Sequence, residues 1–261
     1  MKSTTMPPPL NGDRDSIDVH AVSTPLFKGN ATFTQIKQAP GIANCPVASI
    51  LSAFAFATGG TFIKSMVTEK PDDVSTDISK IPPSRLSNPP KSNTVKSGRY
   101  FIVKLRGGGV EVSDVLYTDD HDSGWSPFYL RDPGDDTIWG SIIEKALAVQ
   151  FKGYENFDAL DTKANEFWAR ISGVDPGGIA IDNSTSLDDI LDAAKKSLHR
   201  PTIGASKPDS ADVKIASEFH GYAMLGAQDS KIKLYDAAKA TTIFISTADF
   251  RHDFQAILWR K

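Results

Sequence analysis

The sequence predicts an α+β fold with two lobes. Three observations point there. An apolar run that reads as a buried helix stands directly behind the single cysteine, two later stretches carry helical spacing, and short strand-like runs follow His199. Helices crowd the first part of the chain and strands the last, and each group needs its own packed core. With 261 residues the chain has room for one large domain or two small lobes.

The elements follow in order. Residues 1–30 read as a disordered leader: they are mostly polar and aperiodic and contain Pro7-Pro8-Pro9. Residues 31–180 then form an N-terminal lobe, and residues 181–261 a β-rich C-terminal lobe. Pro40-Gly41 marks a turn. From Pro46 to Ala57 the chain is nearly all apolar and stops at Gly59-Gly60, so a proline opens the helix and glycines close it. Cys45 falls at its N-terminus, where the positive end of the helix dipole favours a thiolate.

Residues 70–96, rich in Pro, Ser and Asp, read as a long loop. The β-rich runs 100–105 and 110–116 flank Gly107-Gly108-Gly109 and read as a hairpin. Trp139, Ile142, Ile143, Ala146 and Leu147 place a helix over about 137–150, with Asp135 and Asp136 at its positive end. Leu187, Ile190, Leu191, Ala194 and Leu198 form the stripe of another, where Ser186 and Asp189 resemble a capping box. Strands are expected at 202–206, 222–225, 231–235, 241–246 and 254–259.

Composition removes several function classes. Hydrophobic residues make up 40% and charged residues 23%, ordinary for a globular protein. A net charge of -3 without a dense Lys/Arg run gives no footprint for nucleic acid. No stretch approaches the roughly 20 apolar residues of a membrane span, and no signal-peptide core precedes residue 30. The expected setting is the cytoplasm, or export without a cleaved signal. A single cysteine excludes an internal disulfide and a cysteine-clustered metal site. No cofactor is expected. For calcium no EF-hand loop is present, and the acidic stretches 119–122 and 132–136 read as solvated loops.

What chemistry the chain carries centres on Cys45. A lone cysteine also fits a small buried apolar role, but a thiol between a turn and a helix start is placed to react. Its base would come from five histidines. His20 lies in the leader, His121 in an acidic stretch, His199 at a helix end and His252 in a polar turn. His220 alone opens an apolar strand, and the next run ends in Asp236. Nucleophile, base and an acid that orients the base form the logic of nucleophilic catalysis.

Three segments resemble the catalytic core of calpains, members of the papain-like cysteine proteases. The loop Gln38…Gly41…Asn44-Cys45 and its apolar helix are similar to the calpain nucleophile motif. Trp139-Gly140-Ser141-Ile142-Ile143-Glu144-Lys145-Ala146-Leu147-Ala148, then Gly153-Tyr154, is similar to the family's Trp-x-x-hydrophobic-hydrophobic-Glu-Lys-Ala-x-Ala helix. His220-Gly221-Tyr222-Ala223-Met224-Leu225-Gly226, followed by 231–236, resembles its histidine strand and hairpin. The resemblance covers about residues 35–261. Three departures stand against it: Pro46 replaces an aromatic, Asp236-Ala237-Ala238 replaces Asn-Pro-Trp, and Gln38 is one residue further from the cysteine.

The resemblance implies a papain-like two-lobed fold and a cysteine endopeptidase acting on protein or peptide substrates. Cys45 would attack a peptide carbonyl to give a thioester, His220 would protonate the leaving amine, and Asp236 would fix the imidazole. Gln38, with Gln35 as the fallback, would complete the oxyanion hole beside the Cys45 N–H. Two alternatives stay open: a deamidase or transglutaminase using the same triad, and an inactive pseudo-protease that binds peptides.

Overall fold

The apolar run behind Cys45 forms α1 (Cys45–Ala57), with Pro46 in its first turn and residues 45–55 all buried. A helix apolar on every side belongs inside a core. The structure, a computed structural model, describes residues 2–7, 17–39, 44–81, 92–121, 124–154, 160–208 and 219–261. It is a mixed α+β fold in which α1 is held between helices and a sheet. The helices are α2 (Thr61–Met66), α3 (Trp139–Gln150) and α4 (Leu160–Ser172), whose Phe167 and Trp168 are fully buried in the same core.

The sheet has six antiparallel strands in the order β10-β15-β11-β12-β13-β14. These are β10 (Pro176–Ala180), β11 (Thr202–Ser206), β12 (Gly221–Gln228), β13 (Lys231–Asp236), β14 (Thr241–Ser246) and β15 (Phe254–Arg260). Side chains alternate across a strand, and β12 uses both faces. Ala223 and Leu225 join the core around α1. Tyr222 and Met224 join a second core with Leu234, Phe254 and residues of α5 (Leu187–Lys196) and α6 (Thr247–Asp253). Covered on both sides, this sheet is rigid ground for any residue it carries. At Gly226, with φ of 103°, the β12–β13 register shifts and the freed N–H donates to Ser197 Oγ at 2.8 Å.

A four-stranded sheet joins β1 (Lys2–Thr5), β4 (Val67–Asp77), β5 (Thr94–Leu105) and β6 (Gly108–Ser113). Smaller sheets pair β2 (Asp18–Ala21), β7 (Val115–His121) and β8 (Gly124–Pro127), and β3 (Lys37–Gln38) with β9 (Leu130–Arg131). Helix α3 lies against β5 and β6. There Lys145 is fully buried, and its Nζ donates to the carbonyls of Ser113 (3.0 Å) and Val115 (2.6 Å) on either side of the break between β6 and β7. Burial pushes this ammonium down to about 7.

Several expectations are corrected. Residues 1–30, read as a disordered leader, contain β1 and β2. β1 pairs in parallel with β4, Thr4 Oγ1 meets Thr76 Oγ1 at 2.9 Å, and Met6 is fully buried. His20, placed in that leader, is half-buried on β2 and bonded through Nδ1 to Thr118 Oγ1 at 2.9 Å. Residues 8–16 lie outside the described residues. Of the loop expected at 70–96, the ends 70–77 and 94–96 are strand, with a bulge between Pro71 and Val74 that absorbs the proline, and the centre, 82–91, lies outside the described residues. Strands are therefore not confined to the second half. Helices α2, α4 and α6 and strand β10 have no counterpart in the sequence reading.

Candidate active site

Two elements bring the chemistry together. Cys45 starts α1, α1 lies along β12, and His220 is the residue before β12. The contact is close because Gly221 has no side chain: a Cβ there would lie 2.7 Å from Ser49 Oγ and 3.2 Å from the Cys45 carbonyl oxygen. β11 secures the other side of His220, whose backbone N–H donates to Ser206 Oγ at 2.8 Å while its carbonyl accepts from Ser206 N–H at 2.9 Å.

The ring of His220 is held through Nε2. Nε2 meets Asp236 Oδ1 at 2.9 Å, and Cys45 lines the same cleft as the ring. Tyr222 packs edge-on against the ring, with centroids 4.7 Å apart. The Cys45 Sγ also lies 3.7 Å from the Phe219 carbonyl oxygen. Burial alone would lower the imidazole pKa. The bonds to Asp236 and Cys45, and the charges of both, outweigh it and raise the pKa to about 9. Asp236 is buried at the end of β13. Burial would raise its pKa, but the bond and charge of His220 win and hold it below the usual carboxylate range. Its Oδ1 also accepts from Ala238 N–H at 3.0 Å, which fixes the carboxylate where β13 turns.

Cys45 and His220 open onto a cleft of about 290 Å³. Ile203, Ala205, Ala256 and Leu258 give it an apolar wall, and Ser206 and Gln255 supply polar groups. Among the described residues that line it, none carries a formal charge apart from what His220 and Cys45 hold.

The glutamines are placed elsewhere. Gln38 is buried in β3, and its backbone N–H donates to the Ala237 carbonyl at 3.0 Å, next to Asp236. It is not among the residues lining the cleft. Residues 40–43, which join it to Asn44, lie outside the described residues. Gln35 is committed to structure: its Oε1 accepts from Thr32 N–H and from Trp139 Nε1, both at 3.0 Å.

Two residues that sequence reasoning did not single out as site residues stand behind the cysteine. Asn44 Nδ2 donates to Glu144 Oε1 at 2.5 Å, and Glu144 Oε2 accepts from Leu130 N–H at 2.8 Å. Both Asn44 and Glu144 are fully buried. The available signal was a charged residue inside an otherwise apolar helix stripe.

The acidic stretch 132–136 is engaged in local bonds. Asp132 accepts from Gly134 N–H and Thr137 Oγ1, Asp135 accepts from Ser126 Oγ, and Asp136 pairs with Lys28. Of the stretch 119–122, Asp122 lies outside the described residues. Among the described residues no group of three or more His, Cys, Asp or Glu side chains is arranged to hold a metal ion, and no helix is long and apolar enough to cross a membrane. Compared with known proteins, the chain matches no family model and no curated protein.

Proposed function

We propose that this chain is a cysteine endopeptidase of calpain-like type on a papain-like two-lobed fold, cleaving protein substrates through a thioester. The observation that carries the reading is His220 Nε2 2.9 Å from Asp236 Oδ1, with His220 and Cys45 lining the same cleft. A buried imidazole between a carboxylate and a thiol favours the imidazolium–thiolate pair, the reactive form of a cysteine nucleophile.

In this mechanism the Cys45 thiolate adds to the scissile carbonyl carbon, and the carbonyl π electrons move to oxygen. Collapse of the tetrahedral intermediate expels the amine, which takes its proton from His220, and leaves a thioester on Cys45. Water then attacks the thioester with His220 as base, releasing the carboxylate product and the thiol. Asp236 holds the ring in place and stabilises its positive charge. The Cys45 N–H at the start of α1 is the donor to the oxyanion that the cleft offers. Gln38, placed outside the cleft lining, serves as a second only if its side chain reaches in on substrate binding. Loss of one such donor costs about 2.7–4 kcal/mol in the barrier. The apolar wall of Ile203, Ala205, Ala256 and Leu258 suits an uncharged, mainly apolar substrate side chain next to the scissile bond.

The test is incubation of the full chain and its Cys45→Ser variant with denatured casein, read by mass spectrometry for new N-termini and by assay for released ammonia. New N-termini that vanish in Cys45→Ser are the expected result. Ammonia without chain cleavage points instead to a deamidase. Neither product, with casein still bound by both proteins, points to a peptide-binding pseudo-protease.

A further inference from the structure

Asn44 occupies the cap position of α1, yet its side chain makes no capping bond. It turns instead to Glu144, donating from Nδ2 to Oε1 at 2.5 Å. The other carboxyl oxygen accepts from Leu130 N–H at 2.8 Å, and Leu130 pairs across β9–β3 with Gln38. One buried carboxyl therefore bonds both Asn44, the residue before Cys45, and β9, the strand that pairs with Gln38. Placing a carboxyl inside a core is costly, and an apolar side chain of the same size would pack there without losing hydration. What an apolar side chain lacks is the capacity to accept from two donors at once.

We propose that Glu144 is a positioning residue for the nucleophile, fixing through Asn44 where the Cys45 N–H and Sγ stand relative to His220. The proposal rests on the reading of Cys45 as the nucleophile. Asn44 is bonded directly to Cys45, so a shift of its side chain is passed to the thiol and to the first oxyanion donor together. The first turn of α1 has no side-chain cap, because the cap side chain is committed to Glu144.

Asn44 Oδ1 is buried and has no hydrogen-bond partner among the described residues, which gives the proposal a specific signature. In Glu144→Gln the Asn44 amide can turn over. The new Nε2 then donates to Asn44 Oδ1, while the Gln oxygen keeps the Leu130 N–H. Glu144→Met, of similar volume, leaves Asn44 Nδ2 and Leu130 N–H both unsatisfied.

The experiment measures the rate of Cys45 alkylation by iodoacetamide at neutral pH, well below the Tm of each protein. The proteins are the parent, Glu144→Met, Glu144→Gln, Asn44→Ala and His220→Ala. Misplacement of reacting groups by about 1 Å costs up to about 100-fold, so Glu144→Met and Asn44→Ala are expected to react roughly 10- to 100-fold more slowly. Glu144→Gln restores the rate lost in Glu144→Met. A purely structural role lowers Tm and leaves the rate of the folded protein at the parent's value, and that result overturns the proposal. Should Glu144→Met not fold, Asn44→Ala decides, since it breaks the same bond and leaves the carboxyl on Leu130. If His220→Ala reacts like the parent, the nucleophile reading itself fails. If His220→Ala is slow but Asn44→Ala is not, only the positioning role fails.

Discussion

Gly221 meets Ser49 with no room to spare: a Cβ on the glycine would stand 2.7 Å from the Ser49 Oγ and 3.2 Å from the Cys45 carbonyl oxygen. The helix that carries the thiol and the strand that carries the imidazole thus touch at one missing side chain. Their separation sets the distance between Cys45 and His220.

This contact predicts a rescue. Gly221→Ala overpacks the junction, at a cost of about 1–3 kcal/mol in stability, and slows Cys45 alkylation by displacing α1 from β12. Adding Ser49→Ala removes the nearest atom and recovers much of both losses. Thermal melts and alkylation rates of the two single variants and the double variant form the cycle that checks it.

Protonation of His220 gives a second prediction. Its pKa is raised from 6.5 to about 9, so the ring stays cationic through neutral pH. Asp236→Ala removes the largest of the factors that oppose burial, and burial then drives the pKa down. An NMR titration of labelled histidine should show the His220 resonance titrating lower in Asp236→Ala than in the parent. Removing the thiol in Cys45→Ala acts in the same direction.

Glu144 gives the third. Burial raises its pKa from 4.5 to about 8, against the opposing hydrogen bonds from Asn44 and Leu130. Between those two values the folded protein holds a proton that the unfolded chain has lost, so this group's stabilisation is complete below pH 4.5 and fades as pH rises to about 8. His220 has the same sign over 6.5 to about 9, and Lys145 the opposite sign over about 7 to 10.5. Both are common to the parent and Glu144→Gln, so they cancel when the two are compared. Melting temperature measured from pH 4.5 to 8 should therefore fall more steeply in the parent than in Glu144→Gln. Parallel curves would refute this.

Much of this was legible in the sequence because the signals are local. The apolar run with its proline and glycine bounds gives α1, the stripe from Trp139 gives α3, and the runs after His199 give β11 to β15 within a residue or two at most ends, β12 running three residues further. His220 directly precedes β12 and Asp236 ends β13 of the same hairpin, so their meeting follows from short-range pairing. What escaped depends on distant partners. β1 looks like part of a polar tail until Val74 to Asp77, some seventy residues away in sequence, supplies its pairing. β4 carries too many charged and proline residues to read as a strand, since most of its side chains face outward. The Asn44–Glu144 bond joins residues a hundred positions apart, and no periodicity encodes it. Ser186 caps α5 through Asp188 N–H rather than Asp189, a difference of local geometry that the residue types alone do not fix.

The central claim is that His220 and Cys45 act as one reactive pair, and the pH dependence of Cys45 alkylation by iodoacetamide tests it most directly. A thiol with no charged partner reacts freely only as pH approaches about 8.5. Paired with an imidazolium, Cys45 should react rapidly at mildly acidic pH, and His220→Ala should abolish that acidic reactivity while leaving the fold intact. Identical profiles for the parent and His220→Ala, both following an ordinary thiol, would contradict the account.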